Sequence, residues 1–209
     1  MLIIGITGPT GAGKTTALDA LTDLGASVID CDAVYHDLTA RCEPMRQELR
    51  ERFGADIFDE DGILRRRALG SVVFASAQAL ADLNAITHRY VGQEVRRRLE
   101  EARAAGHPAA AVDAIALLES GLCDLCGALV AVVAPDEVRV RRIMARDGID
   151  ERYARMRISA QKSDEFYRGK CDYELSNTAE TPEDFREIAR DFFRRLIGEL
   201  REEKNEASR

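Results

Sequence analysis

In Leu2-Ile3-Ile4-Gly5-Ile6-Thr7-Gly8-Pro9-Thr10-Gly11-Ala12-Gly13-Lys14-Thr15 an apolar run passes into a glycine-rich turn, then into a lysine and a hydroxyl. Gly8, Gly13, Lys14 and Thr15 spell G-x-x-x-x-G-K-T, a phosphate-binding P-loop. Strand, turn and helix start follow in the order such a loop requires. Backbone N–H groups can then wrap the α and β phosphates of a nucleotide at a helix N-terminus. Lys14 reaches the β and γ phosphates, and the Thr15 hydroxyl is placed to coordinate Mg²⁺. Gly11 and Gly13 supply backbone conformations and close approach that a Cβ would obstruct.

Outward from the loop, apolar segments at Leu2 to Ile6, Ala26 to Ile29, Ala109 to Val112, Ala128 to Val133 and Tyr173 to Leu175 alternate with helical patterns. This predicts an α/β fold with a parallel sheet covered on both faces. The first crossover, Lys14 to Leu24, carries Ala17, Leu18, Leu21 and Leu24 on one stripe and stops at Gly25. The stretch between the second strand and Ala109 is far longer than a crossover needs and reads as a helical insertion. Its longest helix runs from about Gln78 to Ala105 and ends at Gly106-His107-Pro108. Pro135 and Asp136 start a further helix, and Thr181-Pro182-Glu183-Asp184 caps the last one. The charged tail from Glu202 to Arg209 is expected to fray.

The balance of 30 basic against 37 acidic residues leaves a net charge of −7, which argues against a nucleic-acid polymer as partner. No run has the length of a membrane span, and Met1 leads straight into a strand, so a cytoplasmic location is expected. The 5 cysteines include a C-x-x-C at Cys123 and Cys126 with no second pair, and reduced thiols are the expected state.

The loop alone leaves the reaction open. A GTPase would need N-K-x-D and an ABC-type ATPase its own signature, and the chain contains neither. The modest length, the insertion and the late arginines suit a kinase of small metabolites, which needs an acceptor lobe and a closing lid to keep the γ-phosphate from water. A nucleotide-dependent switch is the reading from another class. Ile29-Asp30-Cys31-Asp32 ends the second strand with two carboxylates that would face one side of it. One can accept a proton from an attacking hydroxyl while the other binds Mg²⁺ or orients; alternatively, one of them caps the following helix. Ala109-Ala110-Ala111-Val112-Asp113 has the form of a Walker B segment, making Asp113 a second candidate metal ligand beside Asp30. Of Arg139, Arg141, Arg142, Arg146, Arg152, Arg155 and Arg157, most read as a solvated helix face. One or two would stabilise charge on the transferring phosphoryl group.

These residues together resemble the dephospho-coenzyme A kinase family, from Ile4 to about Asn177. Beyond the loop, Val28-Ile29-Asp30-Cys31-Asp32 resembles V-I-D-A-D, Phe53-Gly54 with Asp61-Gly62-Ile63-Leu64-Arg65-Arg66 resembles F-G and D-G-x-L-x-R, and Leu83-Asn84-Ala85-Ile86-Thr87-His88 resembles L-N-x-I-x-H. Leu117-Leu118-Glu119, Arg142 with Arg146-Asp147, Arg157 with Gln161, and Asp172-Tyr173 with Asn177 continue the match in order. Departures are Arg89 and Ile115 where proline is usual, Cys31 and Cys171 for alanine, and Ala179 for glycine.

The resemblance implies a P-loop kinase fold: a parallel five-stranded sheet flanked by helices, a helical substrate-binding insertion and a small helical lid. It implies a single domain, with a nucleotide core over about 1–35, 108–145 and 171–203, an acceptor insertion over 36–107 and a lid over 146–170. The implied activity is ATP-dependent phosphorylation of the ribose 3′-hydroxyl of dephospho-coenzyme A, with Mg²⁺, by a monomer or weak homo-oligomer. ATP would meet Gly11, Ala12, Gly13, Lys14, Thr15, Thr16, Arg146 of the lid and Asn177 near the adenine. Asp32 resembles the general base, with Lys14 and Arg146 as the other catalytic groups. Arg66 and His88 would form or support the acceptor lobe.

Overall fold

The structure is a computed structural model and describes residues 1–207. In chain order its elements are β1 (Leu2–Thr7), α1 (Lys14–Asp23), β2 (Ser27–Asp30), α2 (Cys31–Arg41), α3 (Glu43–Phe53), α4 (Arg66–Val73), α5 (Ala77–Ala104), β3 (Ala109–Asp113), β4 (Ala128–Val133), α6 (Asp136–Asp147), α7 (Glu151–Ser159), α8 (Asp164–Arg168), β5 (Tyr173–Ser176) and α9 (Pro182–Ala207). They form two compact units: Met1–Ile29 with the chain from Ala102 onward, and Asp30–Glu101.

In the first unit the 5-stranded sheet has the order β2-β3-β1-β4-β5. β1 runs parallel to both β3 and β4, and β4 runs parallel to β5. Ala109 to Val112 and Val130 to Val132 are all 0% exposed, the signature of strands covered on both faces. On one face Leu18 and Leu21 of α1 pack with Phe185, Ala189, Phe193 and Leu196 of α9. Truncating the fully buried Phe193 to alanine would cost about 3–5 kcal/mol. The Thr181 hydroxyl accepts the Asp184 N–H at 3.1 Å, capping α9. That helix continues through Ala207, so the tail expected to fray from Glu202 is helical there, while Ser208 and Arg209 lie outside the described residues.

Parallel strands share one carboxyl edge. Ile6 pairs with Asp113 and Val133 with Ser176, so the P-loop after β1, Asp113, the start of α6 and Asn177 all leave the sheet on that edge. A ligand site belongs there in an open α/β sheet.

The second unit is helical, as expected, around Met45, Leu49, Phe53, Ile57, Leu69, Val73 and Ile86. Its exception is an antiparallel bridge between Phe58 and Leu64. It spans Asp30–Glu101 where the sequence suggested 36–107. The Asp30 carboxylate accepts the N–H groups of Asp32 at 2.9 Å and Ala33 at 3.0 Å, so the chain turns helical at Cys31. Asp30 and Asp32 therefore do not share a strand face. Asp30 ends β2 as the helix cap, and Asp32 lies in the first turn of α2. No helix among the described residues is long and apolar enough to cross a membrane. All 5 cysteines are free thiols.

Candidate active site

The loop from Gly8 to Thr15 is held from outside by its carbonyls. Arg139 Nε donates to Thr10 O at 3.0 Å, Arg142 to Gly11 O at 3.3 Å, and Asn177 Nδ2 to Ala12 O at 2.8 Å. In a trans peptide each carbonyl opposes the following N–H. Pulling these oxygens outward therefore turns the Gly11, Ala12 and Gly13 amides to the opposite side; that of Ala12 closes back on Pro9 O at 3.4 Å. The first turn of α1 adds its own amides, since Ala17 N, 3.1 Å from Gly13 O, lies a full turn in. Lys14 Nζ lies over the loop, 2.8 Å from Gly8 O and 3.3 Å from Pro9 O. Thr15 is exposed on the first turn of α1, and Thr16 is half-buried. Together these groups form a concave donor surface with one cation, suited to a polyphosphate.

The tethers are themselves connected. Asn177 is 2% exposed, and its Oδ1 accepts Arg142 at 3.1 Å, while its backbone N–H bonds Val133 O at 2.7 Å. A Cβ on Gly13 (φ +105°) would stand 2.3 Å from Asn177 Nδ2, so the loop and this asparagine fit only without one. Asn177 thus supports the loop from behind. Burial, with Arg141 adding to it, holds the Arg142 guanidinium below its usual pKa. Replacing Arg142 by alanine leaves Asn177 Oδ1 and the Gly11 and Ala179 carbonyls short of a donor. We expect about 1–3 kcal/mol loss of stability in denaturant titration and roughly tenfold weaker nucleotide binding.

Arg146 shares a helix face with Arg139 and Arg142, at the end of α6 and ahead of the predicted lid segment that contains α7 and α8. Its guanidinium grips Asp147 through two bonds of 2.6 and 2.9 Å, and Arg157 joins the same carboxylate. The hydrogen bond from Arg146, reinforced by that from Arg157, lowers the Asp147 pKa to about 2. A carboxyl depressed in the fold adds stability that is fully present above its unfolded value of about 3.9 and is lost as pH falls through about 2. The melting-temperature gap between wild type and Asp147→Asn should accordingly stay constant near neutrality and close between about pH 4 and pH 2.

In the second unit Asp32, Tyr35 and His36 occupy one face of α2 at helical spacing. Arg66, the first residue of α4, donates to His36 Nδ1 at 2.7 Å. Burial raises the Tyr35 hydroxyl pKa, with Arg66 opposing the shift. His88 is half-buried on α5.

A model of the dephospho-CoA kinase family matches residues 2–183. This chain belongs to that family. A dephospho-CoA kinase of Corynebacterium diphtheriae is 39% identical over 96% of this chain and 96% of its own. A protein of known structure from Thermus thermophilus superposes with a TM-score of 0.75 at 31% identity, covering 94% of this chain and 97% of its own. Shikimate kinase from Acinetobacter baumannii shares the fold alone, with a TM-score of 0.53 and 16% identity over 95% of this chain and 94% of its own.

Against the residues expected of a dephospho-CoA kinase, the structure brings Gly11, Ala12, Gly13, Lys14, Thr15 and Thr16 together around one donor surface and adds Arg139, Arg142 and Gln161 behind it. Arg139 is 2% exposed, far from a solvated face. Its spacing from Val140 and Ile143, the other buried residues of α6, was the available signal. His36 was legible as the residue one turn beyond Asp32. For Mg²⁺, the exposed Thr15 hydroxyl and the Asp113 carboxylate on the shared sheet edge are hard oxygen donors. Among the described residues no cluster of 3 or more His, Cys, Asp or Glu could cage a metal. Sparse oxygen donors fit an ion that arrives with a nucleotide and keeps its waters. Asp30, the other candidate, already has one carboxylate oxygen engaged in the α2 cap.

Proposed function

We propose that this chain transfers the γ-phosphoryl group of ATP to the ribose 3′-hydroxyl of dephospho-coenzyme A, giving coenzyme A and ADP in the cytoplasm. The observation that carries the reading is the extent of the family match: residues 2–183 include both the phosphate loop and all of Asp30–Glu101. A fold shared with shikimate kinase does not select an acceptor; a family match that runs through both units supports this one.

The loop amides bind the phosphates, and Lys14 exchanges its contacts with Gly8 O and Pro9 O for β- and γ-phosphate oxygens. Thr15, with Asp113, would hold Mg²⁺, which when bound offsets charge on the phosphates. Asp32 takes the proton of the 3′-hydroxyl as general base. Arg66, aimed by His36, pairs with anionic groups of the acceptor, and His88 supports the same helical unit. Arg146 moves from Asp147 to the transferring phosphoryl group, exchanging one bidentate oxyanion partner for another. Asn177 acts through the loop it braces.

The test is ADP release by the purified protein with Mg-ATP, alone and with dephospho-coenzyme A, shikimate, gluconate or a nucleoside. Strong stimulation by dephospho-coenzyme A alone is the expected result. Equal rates with and without it would refute the assignment.

A further inference from the structure

Thr10 is held at both of its backbone polar groups by side chains from outside the loop. Its N–H donates to Gln161 Oε1 at 3.0 Å, and its carbonyl accepts Arg139 Nε at 3.0 Å. The peptides on either side of Thr10 are planar, so these two bonds orient both planes and with them the N–H of Gly11. Arg139 Nη2 also donates to Gln161 Oε1 at 3.1 Å, so one amide oxygen receives two donors. Arg139 Nη1 donates to Asp136 Oδ1 at 2.9 Å and lies 3.8 Å from the Asp164 carboxylate. Among the described residues Arg139 is the charged side chain that the fold buries, at 2% exposure, and its guanidinium bonds Thr10 O, Asp136 and Gln161 around this junction. Gln161, by contrast, is exposed and belongs to the short segment joining α7 to α8. Fixing such a residue across 151 positions of sequence costs side-chain entropy that packing does not repay, so the hydrogen bonds must hold it.

We propose that Gln161 is a positioning residue for phosphoryl transfer: it pins the α7–α8 segment to the Thr10 peptide, with Arg139 as its buried anchor, and so sets the aim of the loop amides. This rests on the phosphotransfer reading above. Gln161 touches no reacting atom; it acts through Thr10. Movement of the α7–α8 segment must either carry the loop along or release the Thr10 N–H, which couples the position of that segment to nucleotide binding.

The experiment compares wild type with Gln161→Ala and Gln161→Glu in three readouts: Kd for a fluorescent ADP analogue with Mg²⁺, kcat and KM with dephospho-coenzyme A, and melting temperature. Gln161→Ala should weaken nucleotide binding about five- to tenfold, the loss expected for one to two hydrogen bonds, and lower kcat similarly. The KM for dephospho-coenzyme A and the melting temperature should stay at wild-type values. Gln161→Glu keeps an oxygen at the same reach for both donors and should restore nucleotide Kd to within about threefold. An alanine variant with wild-type nucleotide Kd and kcat overturns the proposal, as does one in which both substrates weaken together with a drop in melting temperature. If wild type shows no acceptor-stimulated turnover, the phosphotransfer reading falls, and the nucleotide Kd values still decide whether Gln161 positions the loop.

Discussion

Asp32→Asn is expected to lower kcat by about two to four orders of magnitude, the range for loss of a positioned general base, while nucleotide Kd changes by less than about twofold. Asparagine has the shape of aspartate but cannot take the hydroxyl proton. The α2 cap survives the substitution because it is made by the neighbouring Asp30, whose carboxylate receives the Asp32 and Ala33 amides. Asp32 contributes only its backbone N–H to that cap. Steady-state ADP release and a fluorescent nucleotide titration separate chemistry from binding. A fully active Asp32→Asn enzyme would remove Asp32 as the base and leave the proton to another group. The parallel variant Asp30→Asn should behave differently, with a modest loss of stability and little change in kcat, because Asn also serves as a helix cap.

Gly8→Ala is the substitution expected to harm the molecule most. Its backbone sits at φ +140°, and an added Cβ would lie 2.1 Å from the Val132 carbonyl oxygen of β4. That obstacle is the main chain of Val132, itself 0% exposed, so no side-chain rotation relieves it. Strain from the backbone conformation and from overpacking each cost about 1–3 kcal/mol. Together they would depress the melting temperature by about 10 °C in a domain of this size. The alternative to unfolding is displacement of the loop from β4, which would break the alignment of Arg139, Arg142 and Asn177 with its carbonyls. Either route abolishes tight nucleotide binding, and scanning calorimetry with the fluorescent ADP titration distinguishes them. A variant with wild-type melting temperature and wild-type affinity would contradict this account of the loop.

The sheet and the loop were readable because both are local. Apolar runs such as Ala128 to Val133 are bounded by breakers, and G-x-x-x-x-G-K-T specifies a turn whose conformation depends on its own glycines. The long helix over Ala77–Ala104 was readable for the same reason: an uninterrupted pattern ended by Gly106 and Pro108. The geometry of the Asp30/Asp32 pair was not legible: the sequence left it open between a shared strand face and a helix cap. Alternation along a strand and a cap followed by a helix use the same residues, and the choice depends on the point at which the chain turns into α2.

The arginines mark the limit most sharply. Seven late arginines have one side-chain chemistry, yet Arg139 is buried against Thr10, Arg142 braces Gly11 and Asn177, Arg146 faces Asp147, and Arg155 pairs with Glu137 and Glu151 on the surface. Their partners lie up to 131 residues away, and no local pattern encodes such distances. Taken alone, the sequence determined that this chain has a parallel sheet, a nucleotide-phosphate loop and a helical insertion, since periodicity and loop motifs act over a few residues. Only the tertiary structure decided which side chains hold that loop in shape, that Asn177 works from behind it and that Gln161 ties it to the α7–α8 segment. Those roles come from burial and hydrogen-bond geometry between strand ends, which exist only once the chain has closed into the sheet.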